Sequence, residues 1–437
     1  MAQNSLSIPW GKEQMQIRLP ASWQVSGVLE PASLPPVADP LEEAARSLSA
    51  PVGSPRLSEL YRLGMKVTLV VDDGSRPTPV FCLFPAVLAG LEGAGMPRAD
   101  LTIVPALGLH RAMTEEEIAA RLGLPDLAGF RWTNPACDDE ASMANLGTTR
   151  RGTPVWVSRA VAEADLVVSI GCIEPHIIAS FGGGYKNLVP GVAGRATIAH
   201  NHSLNCTPRT FNMVGQPIES NPMRLDLEEA AGMLKAPVFI VNAVLDSRQQ
   251  VVCVVAGHPI QAHREGVKTS AALYGVKVPA PADVVITGSH PMDSDLRQGV
   301  KALANTIRAA RPGGVVITLV KAEEGVGVFG LANRKLPLGR GALRRLAPAL
   351  VRLVPRLKLK GMGEEDRFFL YFALQAMRHG TLLMVAPTIP AVVKENLPFV
   401  EFADTLEQAL ERAGQKFPGQ AKVLVFPHGG ITYPVLN

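Results

Sequence analysis

A chain of 437 residues with 47% hydrophobic and 19% charged residues is typical of globular proteins and too long for one ordinary core, which predicts two domains. The net charge of +4 is too small to indicate a nucleic-acid partner, and no apolar run reaches the roughly 18 residues of a membrane span. The N-terminus lacks a secretion signal and the five cysteines include no C-x-x-C pair. A cytoplasmic protein without membrane or nucleic-acid partners is expected.

Short runs rich in β-branched residues alternate with helical patterns along the chain. Such apolar runs, separated by helices, are typical of mostly parallel sheets covered on both faces. The predicted fold class is therefore α/β, with two α/β domains. The predicted strands are residues 67–71, 101–104, 164–170, 238–244, 251–255, 284–287, 315–320 and 382–385.

A domain boundary is predicted where Pro279 and Pro281 interrupt the pattern, after a predicted helix at residues 259–274. This gives an N-terminal domain of residues 1–278 and a C-terminal domain of residues 279–437, with the chain end expected to pack back on the N-terminal domain. Residues 331–360 carry nine Arg or Lys and no Asp or Glu. Because no aromatic residue is interleaved there, this basic segment is interpreted as a solvated cationic face.

Polar residues follow the first two of these strands. Ligands of open α/β sheets bind at the carboxyl ends of the strands, so these positions are candidate sites. The motif "DDGSRPTP" supplies Asp73 and Arg76, whose guanidinium suits a carboxylate or phosphate, although a surface turn is the simpler interpretation of this motif alone. The motif "PALGLHR" brings His110 to the same edge, where an imidazole can transfer protons near neutral pH.

The third predicted strand leads into "EPHIIASFGGGYKN", which contains His176 and Lys186. Its glycine run can turn the backbone so that successive N–H groups point at one anion. A lysine held there adds positive charge and can bond covalently to a carbonyl or thioacyl centre. The motif is not a P-loop, because Asn187 stands where a hydroxyl residue is required. The glycine run consists of Gly182, Gly183 and Gly184.

The motif "TIAHNH" places His200 and His202 two residues apart. In an extended segment such residues face the same way, which suits a metal ligand or a base beside one. The residues alone leave open which histidine would bind a metal. A G-x-G-x-x-G match at residues 325–330 is weak evidence for NAD, because the acidic residue expected about 20 positions later is missing.

In this order and at these intervals, the four motifs resemble the nickel-dependent lactate racemase family. The resemblance continues through "GSHPMDSDLRQGVKAL" and "GGVVITLVKAEEGVG" to the terminal "FPHGGITYP". It implies a racemase or epimerase of a small 2-hydroxy acid with its active site in the cleft between the domains. It also implies a nickel pincer nucleotide, a pyridinium-3,5-bisthiocarboxylic acid mononucleotide, attached to Lys186. His202 would then bind the nickel, and the glycine run would hold the nucleotide phosphate.

Inversion by reversible hydride transfer through a 2-keto acid needs a base on each face of the substrate to carry the hydroxyl proton. His110 and His176 are the candidates. Arg297 and Phe368 stand where lactate-specific members carry a tyrosine and a tryptophan, which favours malate, as a slight favourite, or a sugar acid over lactate. The expected substrate contacts are Asp73, Arg76, Arg297, Gln298, Lys301 and Phe368.

Two other classes of protein fit the same residues. An NAD(P)-dependent 2-hydroxy acid oxidoreductase would use a histidine and an arginine in similar roles. A non-catalytic protein that binds nickel or a nucleotide would need the lysine and a metal-binding histidine but no acid–base pair. The sequence leaves the individual substrate, the loading with cofactor and the oligomeric state open.

Overall fold

The computed structural model describes residues 6–327, 329–356 and 363–436. Two sequence features extend beyond them, since residues 357–360 of the basic segment and Val328 of the G-x-G-x-x-G match lie outside the described residues. The chain divides into two compact units. The terminal unit comprises Met1–Ala32, Asn205–Gly215 and Tyr274–Asn437, and the central unit comprises Ser33–Leu204 and Gln216–Leu273. Within the described residues, no helix has the length and hydrophobicity to cross a membrane.

Strands and helices are numbered in chain order. The strands are β1 (Leu6–Trp10), β2 (Glu13–Ile17), β3 (Trp23–Val28), β4 (Val67–Asp72), β5 (Leu101–Ala106), β6 (Arg131–Trp132), β7 (Met143–Thr148), β8 (Pro154–Ser158), β9 (Leu166–Cys172), β10 (Pro175–His176), β11 (Ser180–Phe181), β12 (Val238–Leu245), β13 (Val251–Gly257), β14 (Gly275–Val278), β15 (Ala282–Gly288), β16 (Ala310–Leu319), β17 (Thr381–Val385), β18 (Glu401–Ala403), β19 (Ala421–Phe426) and β20 (Tyr433–Leu436). The helices are α1 (Pro40–Ser49), α2 (Leu57–Leu60), α3 (Val80–Glu92), α4 (Glu115–Leu122), α5 (Arg159–Ala162), α6 (Arg195–Ser203), α7 (Pro222–Ala231), α8 (Gln261–Tyr274), α9 (Leu296–Thr306), α10 (Arg340–Leu353), α11 (Glu364–His379), α12 (Ala391–Asn396) and α13 (Leu406–Lys416).

The central unit is built on a sheet of order β13-β12-β9-β4-β5-β6. Its strands are parallel except for β13, which runs antiparallel to β12. Every residue of β4 and β9 is buried, as expected for strands covered on both faces. The five strands predicted in this region are confirmed, and so is the helix predicted before the second domain, which is α8.

The terminal unit is built on a fully parallel sheet of order β18-β17-β16-β15-β19-β3. The three strands predicted here are confirmed as β15, β16 and β17. Strand β3 pairs with β19, and the last strand, β20, pairs with β14. The units therefore differ from the predicted domain limits, since residues 1–32 and 205–215 group with the C-terminal part of the chain. The predicted class, α/β with mostly parallel sheets, is confirmed.

Candidate active site

Asp73 and His110 follow the adjacent strands β4 and β5 and form a hydrogen-bonded pair. His110 Nδ1 lies 2.5 Å from Asp73 Oδ2, and the Ser75 hydroxyl donates to Asp73 Oδ1 across 2.6 Å. Burial by itself would raise the pKa of Asp73, but the hydrogen bonds from His110 and Ser75 lower it to about 2. An ionised carboxylate can only accept, so His110 Nδ1 carries a proton, and in the neutral form of the ring the lone pair lies on Nε2.

The turn that carries Asp73 is fixed by Arg121 of helix α4. The Arg121 guanidinium donates to Asp72 Oδ1 across 2.6 Å and to the carbonyl of Arg76 across 3.0 Å. The hydroxyl of Thr78 donates to the other oxygen of Asp72 across 2.5 Å. The "DDGSRPTP" motif is therefore bound to helix α4 through Asp72 and the carbonyl of Arg76. Arg121 is a supporting residue that the sequence reasoning missed.

Arg76 forms an ion pair with Glu174, which follows strand β9. Arg76 Nη1 lies 2.9 Å from Glu174 Oε1, and both side chains are largely buried. Arg76 is therefore held inside the site, and the simpler interpretation of this motif as a surface turn is wrong for its arginine. Glu174 was not identified from the sequence as a site residue, although its position directly before "PH" in a strand-end motif is a usable signal.

His176 lies in a short hairpin formed by β10 and β11. Its Nδ1 accepts hydrogen bonds from the backbone N–H groups of Ile178, at 3.3 Å, and Ala179, at 3.2 Å. The side-chain amide of Asn221 donates to the carbonyl of Ile178 and to the hydroxyl of Ser180, which fixes the hairpin from helix α7. With Nδ1 as an acceptor, the neutral ring of His176 carries its proton on Nε2.

The two candidate acid–base histidines are therefore held in opposite tautomers. The ring of His110 presents a lone pair at Nε2, whereas the ring of His176 presents a proton at Nε2. One imidazole is arranged to accept a proton, and the other is arranged to donate a hydrogen bond.

The glycine run between His176 and Lys186 packs tightly against its own unit. The N–H groups of Gly182 and Gly184 donate to the carbonyl of Glu174 and to Oδ1 of Asn242, each across 2.7 Å. Gly183 has a φ of +72°, and a Cβ there would lie 2.7 Å from the nearest side-chain carbon. Local folding already requires glycine at this position. The predicted phosphate contact stays a prediction, with two of the amides already bonded to protein acceptors.

Carbonyl groups of the glycine run are held by two buried side chains that sequence reasoning missed. Arg224 of α7 donates to the carbonyls of Phe181 and Gly183, each across 3.2 Å. His263 of α8 lies 2.8 Å from the carbonyl of Gly182 through Nε2. Both side chains are completely buried. Their burial against the glycine run leaves no signal in the sequence pattern.

The same side chains belong to a buried ionic network. Glu228 accepts hydrogen bonds from Arg224 Nε across 2.8 Å and from both terminal nitrogens of Arg264 across 2.8 Å. Arg264 also donates to Nδ1 of His263 across 3.0 Å. Burial, followed by the charges of Arg224 and Arg264, lowers the pKa of His263 well below its ordinary value. His263 is therefore neutral and donates from Nε2 to the glycine run.

Lys186 lies in a tight helical turn at Gly184–Asn187. The Asn187 side chain donates to the carbonyl of Ile170 across 2.9 Å, which binds this turn to strand β9. Burial, and next the positive charge of Arg76, lowers the pKa of Lys186 to about 7. Much of the amine is therefore unprotonated near neutral pH, which is the form that acts as a nucleophile.

His200 and His202 lie in helix α6, so the expectation that they face the same way is wrong. Residues two apart in a helix differ by about 200° around its axis. The helix is held against strand β8, because the hydroxyl of Thr197 accepts from the N–H of Trp156 and donates to the carbonyl of Pro154. This contact with β8 uses Thr197 as an anchor for the helix.

The two histidines have different partners. His202 Nδ1 donates to the carbonyl of Ile198 across 2.8 Å, which leaves the ring lone pair on Nε2, as metal-binding imidazoles require. His200 Nδ1 lies 2.8 Å from the hydroxyl of Thr153, which itself donates to Asp226. In the described part of the chain, no group of three or more His, Cys, Asp or Glu side chains could hold a metal ion by itself.

The remaining candidates lie in the terminal unit. Arg297, Gln298 and Lys301 are on the first turns of α9, whose N-terminus is capped by Asp295. Lys301 Nζ lies 3.9 Å from the sulfur of Met292. Phe368 of α11 is buried, so its predicted contact with a substrate stays a prediction.

The chain is an α/β protein whose candidate site holds a hydrogen-bonded Asp–His pair and a lysine of lowered pKa after neighbouring strands of one sheet. A family model described as "Lactate racemase N-terminal domain" matches residues 10–212. The lactate racemase of Thermoanaerobacterium thermosaccharolyticum is 30% identical over 327 residues, covering 74% of this chain and 76% of that protein. The lactate racemase of Lactiplantibacillus plantarum is 29% identical over 400 residues, covering 89% of each chain.

Solved structures agree with these matches. The lactate racemase apoprotein of T. thermosaccharolyticum superposes with a TM-score of 0.86 at 27% identity, covering 99% of this chain and 100% of that chain. A protein from Thermotoga maritima, at 16% identity and a TM-score of 0.65, shares the fold over 91% of this chain and 97% of its own. The chain belongs to the lactate racemase family and is an isomerase of the racemase type.

Proposed function

We propose that this protein racemises or epimerises a 2-hydroxy acid by reversible hydride transfer through a 2-keto acid, using a nickel pincer nucleotide attached to Lys186. The observation that carries the proposal is the arrangement of the Asp73–His110 pair, Arg76 and Lys186 after three neighbouring strands of the central sheet. Two relatives are lactate racemases, which supports the substrate class.

The residues of the central unit fit this cofactor. An amine with a pKa of about 7 is suited to a covalent link with an acyl or thioacyl group, and Lys186 supplies one. His202 keeps its lone pair on Nε2 and would bind the nickel. When bound, the cofactor would accept the hydride from C2 and return it.

The chain's own groups would bind the substrate and move its hydroxyl proton. Arg76 would bind the carboxylate, in competition with the carboxylate of Glu174 that it holds at 2.9 Å. His110 would take the hydroxyl proton at Nε2, and the ionised Asp73 would stabilise the resulting imidazolium. His176 is proposed as the base on the opposite face of the substrate; in the tautomer seen here its Nε2 carries a proton and would donate to the substrate oxygen. Further contacts from the terminal unit are proposed for Arg297, Gln298, Lys301 and Phe368.

The test is to produce the protein in a host with the cofactor-making enzymes and to compare Lys186→Ala with Lys235→Ala, a change of an exposed lysine in the same unit. We expect wild type and Lys235→Ala to carry nickel and an adduct of pincer-nucleotide mass, and to convert one stereoisomer of a 2-hydroxy acid into the other. Lys186→Ala should lose both the adduct and the conversion.

Three other results would identify a different class of protein or contradict the proposed attachment. A rise in the absorbance of reduced nicotinamide, without inversion, would identify an oxidoreductase. A stable nickel adduct that never inverts any hydroxy acid would identify a cofactor-binding protein. Full activity of Lys186→Ala would contradict the proposed attachment.

A further inference from the structure

The hairpin of β10 and β11 closes its turn around one ring nitrogen of His176. His176 and Ser180 are paired in this hairpin, and the three residues between them form the turn. The N–H groups of Ile178 and Ala179 both donate to His176 Nδ1, at 3.3 and 3.2 Å. Because two donors converge on this nitrogen, a proton on Nδ1 would face both of them and is excluded while the turn keeps its shape.

The turn is held from helix α7 by Asn221, whose side chain is fully buried. Asn221 is the N-cap of this helix, and its Oδ1 accepts from the N–H of Arg224 across 3.1 Å. Since Oδ1 is bonded to the helix, Nδ2 faces the hairpin. It donates to the carbonyl of Ile178 across 2.8 Å and to the hydroxyl of Ser180 across 3.0 Å. One amide thus joins the start of α7 to two residues of the hairpin.

Ser180 has a backbone conformation that requires such support. Its φ is +64°, in the left-handed region, and the residue is fully buried. This region costs a residue with a Cβ about 1–2 kcal/mol, so neighbouring contacts must maintain it. The N–H of Phe181 donates to the carbonyl of Ala179 across 2.7 Å, and Asn221 binds the Ser180 hydroxyl. Strained and buried backbone of this kind is typical of functional sites.

The shape of the turn decides which chemistry the His176 ring can perform. A neutral imidazole that accepts at Nδ1 carries its proton on Nε2, where it can donate a hydrogen bond but has no lone pair for a proton. To act as a base at Nε2, the ring needs its proton on Nδ1, which the two backbone N–H groups oppose. The tautomer of His176 therefore depends on the turn, and the turn depends on Asn221.

We propose that Asn221 is a positioning residue for His176, acting through the turn of residues 178–180 to hold the ring in the tautomer that donates from Nε2. The amide of Asn221 and the turn that it binds form a latch, and His176 becomes a base only when this latch opens. The importance of the tautomer for turnover rests on the proposed function. The latch itself rests on contacts within the central unit.

The latch is tested first on the full-length protein without cofactor, by nitrogen-15 spectra of the histidine rings at a pH where they are neutral. Protonated and unprotonated ring nitrogens resonate apart, so the spectra report the tautomer, and His176→Gln assigns the resonances. In Asn221→Ser, a hydroxyl still caps α7 but is too short to replace the amide. We expect wild type to hold the Nε2–H tautomer. In Asn221→Ser the tautomer ratio should shift about tenfold toward Nδ1–H, equivalent to one lost hydrogen bond.

A matched control and a milder variant complete this test. Asp39 is the exposed N-cap of α1 in the same unit, so Asp39→Ser should leave the His176 resonances in place. Ser180→Ala removes only one of the two contacts and should shift the ratio in the same direction by a smaller factor, which gives a result even if Asn221→Ser folds poorly. A wild-type ring with its proton on Nδ1, or an unchanged ratio in the variants, would overturn the proposal.

Turnover is tested second, on nickel-loaded protein. Asn221→Ser should lower kcat about tenfold and leave KM unchanged, because it disturbs the proton donor and not the carboxylate contact proposed for Arg76. Asp39→Ser should keep both constants. A wild-type kcat in Asn221→Ser would overturn the positioning role.

The latch and the proposed reaction can fail separately. A shifted tautomer ratio in Asn221→Ser, together with a wild type that inverts no 2-hydroxy acid, would keep the latch and remove the reaction. Inversion by wild type, with neither the tautomer nor kcat altered in Asn221→Ser, would keep the reaction and overturn the latch.

Discussion

Asp73 Oδ2 and His110 Nδ1 lie 2.5 Å apart at the ends of two paired strands, β4 and β5. The carboxylate has a pKa of about 2 because His110 and Ser75 donate to it against the cost of burial. A carboxylate that stays ionised fixes the histidine tautomer and stabilises the charged ring after proton uptake. The pair therefore supports the proposed role of His110 as the base.

Asp73→Asn should abolish most activity without unfolding the protein. An asparagine amide can donate to His110 Nδ1, which moves the ring proton to Nε2 and removes the base. We expect a loss of kcat of ~10²–10⁴-fold, the usual contribution of general acid–base catalysis. The measurement is the initial rate of inversion on cofactor-loaded protein. Ser75→Ala, which removes only one donor to the same carboxylate, is the control and should lose far less.

Lys186 should react with an amine-directed acylating reagent at unusually low pH. Its pKa is lowered to about 7 from an ordinary value near 10.5, so the amine is protonated and unreactive below that pH and becomes reactive as the pH rises through it. Peptide mass spectrometry of apoprotein, acylated briefly between pH 5 and 10, gives the titration curve. If Lys186 reacted with a midpoint near pH 10, as the exposed lysines are expected to, its assigned buried environment would be contradicted.

The buried pair Arg224–Glu228 should contribute far more to stability than a surface pair of the same spacing. Both side chains of the buried pair are nearly inaccessible, whereas Arg159 and Glu163 are 52% and 65% exposed. Glu228→Gln leaves the fully buried guanidinium of Arg224 without its charge partner and should lower the free energy of unfolding by ~3–5 kcal/mol. Glu163→Gln should cost ~0–1 kcal/mol. Urea denaturation followed by circular dichroism compares the two, and equal shifts would disprove the assigned role.

His202 and His200 should respond differently to alanine substitution. They lie on opposite sides of α6, so both cannot face one metal ion. We expect His202→Ala to lose nickel, measured by plasma mass spectrometry on protein from a cofactor-producing host, and His200→Ala to retain it. The reverse pattern would transfer the ligand role to His200 and leave the other assignments intact.

Much of the fold could be predicted because buried parallel strands have a strong local signature. Continuous apolar runs such as residues 67–71 and 166–170 are strands in the structure, since both of their faces are covered. The partners of β3 could not be predicted, because pairing between the first residues of the chain and β19 is a contact across nearly the whole sequence. Local pattern carries no information about such a pairing.

The site was only partly predictable for the same reason. His110 and Asp73 could be found because each directly follows an apolar run. Glu174 lies in an equally good position but was passed over in favour of the histidine two residues later. Arg224 and His263 were missed because their roles depend on burial against the glycine run, which only the folded chain creates. Helix α6 was not predicted, because the six residues of the TIAHNH motif are too few to show a helical period.

We propose that His110 and His176 handle only the hydroxyl proton, while the hydrogen on C2 moves as hydride. The most direct test is to incubate cofactor-loaded protein in ordinary water with a 2-hydroxy acid deuterated at C2, and to measure deuterium in the inverted product by mass spectrometry. We expect the inverted product to keep its deuterium. Replacement of the deuterium by solvent hydrogen would show that a protein base removes the C2 hydrogen as a proton, and would contradict the account.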